Sequence, residues 1–365
     1  MQTAPAVLSA LTTLRVGGPV AELVEAETER ELIAAVQRAD ATGTPLLVLG
    51  GGSNLLAADT PFDGLVVRDV RRGVTPGPEP LVSVPAGQPW DEVVHTAVAE
   101  GWTGLEALSG IPGSTGATPV QNVGAYGQEV ADTLHSVRLY DRLQGRVRTV
   151  RTAELGLGYR TSVLKRSRTE EPGWGATGRY VVLEVTFALR REPLSAPVRY
   201  AELARSLDVE LGARVPLATV REAVLSLRSG KGMVLDASDH DTWSAGSFFT
   251  NPILTEGQAA EYLPPDAPRF PVEHHGGDGA GRVCPGLVKT SAAWLISRAG
   301  FERGFGDPRR AALSTKHVLA LTNRGEARAQ DLLDLATTVR DGVHSRFGVT
   351  LVPEPVLLGL ALPPL

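Results

Sequence analysis

The stretch GIPGSTGATPVQNVGAYG, residues 110–127, constrains this chain more than any other, because five glycines alternate there with Pro112, Pro119, Gln121 and Asn122. Neither a packed helix nor a regular strand tolerates that composition, and each glycine costs about 0.5 to 1 kcal/mol in chain entropy if the segment is ordered. Such a segment is expected where something flat or charged needs the backbone close. The amides of Gln121 and Asn122 suit the edge of a heteroaromatic ring, and the glycines clear room for phosphates. A disordered surface loop is the plain alternative, but Ile111, Val120, Val123 and Tyr126 favour packing.

The rest of the chain sets bounds. At 365 residues it is long enough for two or three domains, and 40 Gly with 26 Pro predict many tight turns. A net charge of -5 gives no general attraction for nucleic acid or an anionic membrane, so an anionic ligand must be held by a few placed cations or backbone N–H groups. The single cysteine, Cys284, excludes an internal disulfide and a cysteine-based zinc site, which fits a reducing cytoplasm. MQTAPAVLSALTTLRVGG lacks the pattern of a signal peptide, and no apolar run approaches the roughly 18 residues of a membrane span. A cytoplasmic protein without membrane insertion is expected.

Along the chain, VAELVEA reads as a strand and TERELIAAVQRADATG as a helix with a Thr-x-x-Glu capping box that stops at Gly43. PLLVL and GLVVR complete a small α/β unit, and the Pro/Gly run over residues 73–80 is a boundary. LVSVPAG, the helix PWDEVVHTAVAEG, three antiparallel strands in VRLYDR, GRVRTV and YVVLEVTFAL, and a helix over Leu217 to Gly232 form a second region. The third contains GSFFTNPIL, a Pro/Gly/His-rich loop, the helix LVKTSAAWLISRAGF, the strand HVLALTN, the helix ARAQDLLDLATTVRDGVHSRFG and the strand-like VTLVPEPVLLG.

Four further motifs bear on chemistry. LGGGSNLL places three side-chain-free residues at a strand end, where backbone N–H groups approach phosphate closely, or where the chain merely turns. It lacks the GxGxxG-to-helix pattern of a dinucleotide fold, so a Rossmann site is disfavoured. GYRTSVLK offers Tyr159, Arg160 and Lys165, with Arg160 either a solvated surface group or a fixed cation for an anionic intermediate. In GSFFTNP, Ser247 lacks the GxSxG elbow of a hydrolase; it either caps local backbone or gives a proton to a basic carbon, which needs no histidine. Glu354 in VPEPVLLG sits among apolar residues, where a carboxylate must be paired or hydrogen-bonded. His274, His275, Asp278 and Cys284 match no zinc spacing, so no metal is expected.

With LGGGSNLL, IPGSTGATPVQNVGAYG, LGYRTSVLK, GSFFTNP and VPEPVLLG in this order over essentially its whole length, the sequence closely resembles the UDP-N-acetylenolpyruvoylglucosamine reductase (MurB) family. The resemblance implies an α+β fold: a two-subdomain FAD-binding module of the p-cresol methylhydroxylase/vanillyl-alcohol oxidase (PCMH/VAO) type plus a C-terminal α/β substrate-binding domain. Residues 1–72, completed by 348–365, would form the first subdomain, 73–232 the second, and 233–347 the substrate domain. It implies non-covalent FAD held by Leu49, Gly50, Gly51, Gly52, Ser53, Asn54 and Leu55 and, in the glycine-rich loop, by Ile111, Pro112, Gly113, Gly116, Ala117, Pro119, Gln121, Asn122, Gly124, Ala125, Tyr126 and Gly127. Arg160, Ser247 and Glu354 fall on the family's catalytic positions. The implied reaction is reduction of UDP-GlcNAc-enolpyruvate to UDP-N-acetylmuramate, in which NADPH and the substrate alternate in one cleft. Hydride goes to C3, and Ser247 protonates C2 while Arg160 and a protonated Glu354 stabilise the enolate. Tyr200 matches the substrate-capping tyrosine of the longer family form. Tyr159, Lys231, Asn251 and Lys289 are substrate candidates, and a monomer is expected. Two departures stand out: Pro355 follows Glu354 where an aliphatic residue is commoner, and the loop over 264–286 is expanded. A different FAD-dependent oxidase, a nucleotide-sugar binding protein without activity and a serine hydrolase are the competing readings.

Overall fold

A computed structural model describes residues 6–170, 173–273 and 282–365. The Thr28 side chain accepts from the Glu31 backbone N–H while the Glu31 carboxylate returns to the Thr28 N–H, which starts the helix Glu29–Thr42; Gly43, at φ +66°, ends it. This helix covers a parallel sheet in which the strand Phe62–Asp69 lies between Val20–Ala26 and Leu46–Leu49. Its apolar face, Leu32, Val36 and Ala39, packs with Leu46, Leu65 and Val67, and with Val181 and Leu183 of the next sheet.

That next sheet is antiparallel, in the order Arg146–Arg151, Leu134–Asp141, Tyr180–Ala188, Leu81–Pro85, Thr75–Pro76. Trp90, at the start of the helix Trp90–Ala99, is 1% exposed and packs on Phe187 at 5.7 Å between ring centroids. The long glycine-rich loop leaves this core and returns to it through the partly buried Ile111, Val120 and Val123. The helix Leu217–Gly230 closes the region against Ala107, Val198 and Leu203.

The third region holds a sheet in the order Ile253–Thr255, Val283–Lys289, Phe270–Glu273, a hairpin of Ala311–Leu313 with Leu321–Asn323, and the helices Ala292–Arg298 and Ala329–Phe347. Its core also takes in Leu14, Val16 and Leu56 from the other end of the chain. At the C-terminus the strand Val356–Leu358 crosses back to pair in parallel with Leu55–Ala57, directly after the glycine turn.

Three expected elements differ. Leu287–Lys289 is strand rather than the start of a helix, because Ile253–Thr255 and Phe270–Pro271 pair with it; the helix begins only after Ser291, whose hydroxyl accepts from the Trp294 N–H. HVLALTN is strand only at Leu321–Asn323, since Ser314 Oγ accepts from the Lys316 and His317 backbone N–H groups and holds the preceding residues in a turn. VTLVPEPVLLG is strand only at Val356–Leu358.

Candidate active site

The two glycine-rich segments meet each other. A Cβ on Gly51 would stand 2.7 Å from the Gly113 Cα, and one on Gly113 2.9 Å from Ser53 Oγ, so two backbones are in contact where any side chain would force them apart. Gly52 lies at φ +63°, and its Cβ would drive into the Leu11 carbonyl oxygen. Ser53 Oγ donates to the Pro112 carbonyl at 3.0 Å, and the Trp90 N–H donates to the Gly113 carbonyl at 3.0 Å, which pins the pair. Together they form one wall of a cleft of about 550 Å³, well within the range of cofactor sites.

A second part of this cleft is made by side chains from distant segments. Gly246, at φ +70°, turns the chain so that Ser247 faces the cleft while Phe248 and Phe249 are each 1% exposed and pack edge to face at 5.2 Å. Burying each phenyl ring stabilises the segment by about 1.5 to 3 kcal/mol. The Phe248 N–H donates to the Leu319 carbonyl and the Glu354 N–H to the Phe248 carbonyl, both at 2.8 Å, so the serine and the glutamate are set by one backbone link. No hydrogen bond to the Ser247 hydroxyl occurs among the described residues, and no imidazole is paired with it.

Arg160 completes the group. Its backbone is left-handed, φ +53°, a conformation that costs a non-glycine residue about 1 to 3 kcal/mol and persists only where the surroundings impose it. Here the Lys165 ammonium donates to the Arg160 carbonyl at 3.2 Å. The guanidinium donates to the Gly124 and Asn122 carbonyls at 2.9 and 3.3 Å, and its Nε lies 3.2 Å from Glu354 Oε1. That last contact is an ion pair by distance only; the N–H is not aimed at the oxygen, and Nε is without a hydrogen bond. Gln121 Nε2 donates to the same Glu354 oxygen at 3.1 Å and Asn54 Nδ2 to Gln121 Oε1 at 3.0 Å, an amide chain that ties the glycine turn to Glu354.

All seven residues named at 49–55 lie on the wall, with Ile111, Pro112, Gly113, Gly116, Ala117, Gln121, Gly124, Ala125 and Tyr126 from the loop. Pro119, Asn122 and Gly127 do not. Asn122 is buried, donating to Glu129 Oε2 at 2.6 Å and accepting from the Ala131 N–H at 3.0 Å, so its amide is used inside the loop. Of the substrate candidates, Tyr200 and Lys231 reach the wall. Tyr200 meets Tyr126 edge to face at 5.7 Å, and Lys231 pairs with Glu202 at 2.5 Å. Burial pushes the Tyr126 hydroxyl up to about 12. Tyr159, Asn251 and Lys289 form a cluster outside the wall: the Asn251 N–H donates to the Tyr159 hydroxyl at 3.2 Å, and the Lys289 ammonium stands 4.7 Å from the Tyr159 ring centre. His274, His275 and Asp278 lie outside the described residues, and among the described residues no metal-holding cluster occurs.

Three basic wall residues were not assigned to the site from the sequence. Arg228 is 8% exposed, gives one hydrogen bond to the Met233 carbonyl at 2.9 Å and leaves Nε unpartnered. Arg168 also has a buried, unpartnered Nε. His317 is the third; burial first, then the charges of Lys231 and Arg303, push its imidazole down to about 4. Nothing local in RSG, SR or KH separates these residues from solvated ones. A chain of net charge -5 thus lines its cleft with Arg160, Arg168, Arg228 and Lys231. Side-chain-free backbone along the wall, with buried guanidinium N–H groups lacking acceptors, fits a long, flat, phosphate-bearing cofactor such as FAD.

Comparison with known proteins agrees with this fit. The family model of an FAD binding domain matches residues 20–151, and that of the UDP-N-acetylenolpyruvoylglucosamine reductase C-terminal domain matches 238–358. The UDP-N-acetylenolpyruvoylglucosamine reductase of Saccharopolyspora erythraea is 56% identical over 99% of this chain and 96% of its own length. That of Nocardia farcinica is 54% identical over 97% and 89%. The crystal structure of the Thermus caldophilus enzyme superposes with a TM-score of 0.63 at 26% identity, covering 98% of this chain and 99% of that one. With this match over nearly the whole length, the chain belongs to the UDP-N-acetylenolpyruvoylglucosamine reductase family, and is an FAD-dependent oxidoreductase of peptidoglycan precursor synthesis.

Proposed function

We propose that this chain reduces UDP-N-acetyl-3-O-(1-carboxyvinyl)-glucosamine to UDP-N-acetylmuramate with NADPH as the source of electrons. The observation that carries the reading is the meeting of Arg160, Ser247 and Glu354, from three distant segments, in one cleft that both glycine-rich segments also line. When bound, FAD would be held along the two glycine-rich segments and would supply the redox chemistry, a hydride transfer from NADPH to C3 of the enolpyruvyl group. Negative charge then develops at C2 and the adjoining carboxylate of the substrate. Arg160 is a fixed cation beside that charge. Ser247, with no base to deprotonate it and its ring neighbours locked in the core, gives its proton to C2. Glu354 accepts from Gln121 in the structure; to donate a hydrogen bond to the enolate it must carry a proton.

In this reading residues 1–72 with 348–365, and 73–232, hold the cofactor, while 233–347 holds the nucleotide sugar. Lys231, Arg228 and the Tyr200 ring suit the phosphates and the closure of the cleft, which NADPH and substrate occupy in turn. The working unit is a monomer in the cytoplasm. Among the described residues no helix is long and apolar enough to cross a membrane. Stopped-flow absorbance tests the reading: NADPH should bleach the flavin and UDP-GlcNAc-enolpyruvate should restore its colour without oxygen. Flavin that is reoxidised only by oxygen would indicate a different oxidase.

A further inference from the structure

Three arginines reach the cleft wall, and their partners differ. Arg160 is matched by Glu354, and Arg228 by the Met233 carbonyl. The Arg168 guanidinium makes no hydrogen bond or ion pair with any described residue, and its Nε is shut off from solvent. With Nε buried and unpartnered and its Nη groups open to the cleft, the guanidinium presents an unmatched positive charge to any anion that enters.

Its place indicates which anion. The side chain of Arg168 lies against Gly178, where a Cβ would be 3.0 Å from Arg168 Cγ; a larger residue there would push it aside. The neighbouring Thr177 is fixed to the first sheet, its hydroxyl accepting from the Val48 N–H at 2.6 Å, two residues before the glycine turn begins at Gly50. Arg168 therefore stands near the strand that leads into the glycine turn, on the wall formed by Leu47–Leu49, Ala176–Gly178 and Tyr180. Ser247 and Glu354 stand at the far side of that turn, where Gln121 joins Glu354 to Asn54, and the reacting ring of the cofactor has to lie against them for the reaction proposed above. A dinucleotide placed with its ring there runs over the glycine turn and brings its adenylate half toward Arg168.

We propose that Arg168 is the counter-charge for the adenylate phosphate of bound FAD. The assignment rests on the functional reading only for the direction in which the cofactor lies, and its test measures binding alone. Dissociation constants for FAD are read from flavin fluorescence for the wild type, Arg168→Met and Arg168→Lys, with FMN, AMP and adenosine as probes. Loss of a charge-assisted contact predicts FAD binding about 10- to 100-fold weaker in Arg168→Met, with Lys recovering part of it. FMN, which has no adenylate, should bind both proteins alike. AMP should displace FAD from the wild type at least about 10-fold better than adenosine does, and that advantage should vanish in Arg168→Met.

Unchanged FAD affinity in Arg168→Met overturns the proposal. Equal losses for AMP and adenosine also overturn it, since they would mean that the guanidinium stacks on the purine. A lower melting temperature of the flavin-free protein with unchanged FAD affinity would mean that Arg168 serves the fold of its own chain, and would overturn the proposal. If Arg168→Met does not fold, Arg168→Lys and the salt dependence of AMP binding to the wild type carry the test, and a salt-independent AMP constant refutes the proposal. None of these results depends on turnover, so failure of the proposed reaction would be seen separately.

Discussion

At Gly51 and Gly113 the cleft wall is backbone pressed on backbone, whereas elsewhere in the same cleft three side chains drawn from residues 160, 247 and 354 converge through long-range contacts. The first wall depends on the absence of side chains and the second on their identity. Changes should therefore act differently: at the glycine wall they remove the cofactor or the fold, and at the side-chain end they leave the cofactor in place and remove chemistry.

The largest effect is expected at Gly52. Alanine there meets the Leu11 carbonyl oxygen in a left-handed conformation, a combination that costs about 3 kcal/mol or more. Gly52→Ala should yield protein with little flavin absorbance and a melting temperature many degrees lower. Normal flavin content would break the comparison at its strongest point.

At the side-chain end, Glu354→Ala should keep its flavin and lose about 100-fold or more in the rate of flavin reoxidation by substrate, while Glu354→Gln, which still donates a hydrogen bond, loses about tenfold less. Rapid-mixing rates for the two variants check this, and equal losses would deny the donor role.

These two walls were not equally legible in the sequence. LGGGSNLL and GIPGSTGATPVQNVGAYG mark the glycine wall because glycine density is visible without any fold, although the glycines were read as room for a ligand and also serve the contact between the two loops. The helix Glu29–Thr42 and the strands around it followed from caps and alternation. Elements that depend on a distant partner were misread: Leu287–Lys289 has helical neighbours in sequence but pairs as a strand. Arg160, Ser247 and Glu354 stand out in their own motifs, but only the family resemblance joined them, since no local pattern brings Glu354, 107 positions after Ser247, to the carbonyl of the adjoining Phe248. Arg168, Arg228 and His317 were missed because burial of a charged side chain is decided by tertiary packing.

The smallest expected effect uses His317. Its imidazole is held at about 4 in the folded protein against about 6.5 in an unfolded chain. Between those values the unfolded chain binds a proton that the folded one does not, so stability is complete above about pH 6.5 and falls as pH drops toward 4. His317→Gln should flatten that part of the profile, read as melting temperature against pH. An identical slope in the variant would show that the loss arises elsewhere.

Ser247→Ala tests the division between the two walls most directly, with the two half-reactions followed separately by stopped-flow absorbance. The variant should bind FAD and be bleached by NADPH at close to the wild-type rate, while recovery of flavin colour with UDP-GlcNAc-enolpyruvate slows by about 100- to 10,000-fold. Recovery at the wild-type rate would contradict the account, because the proton at C2 would then come from a group other than Ser247.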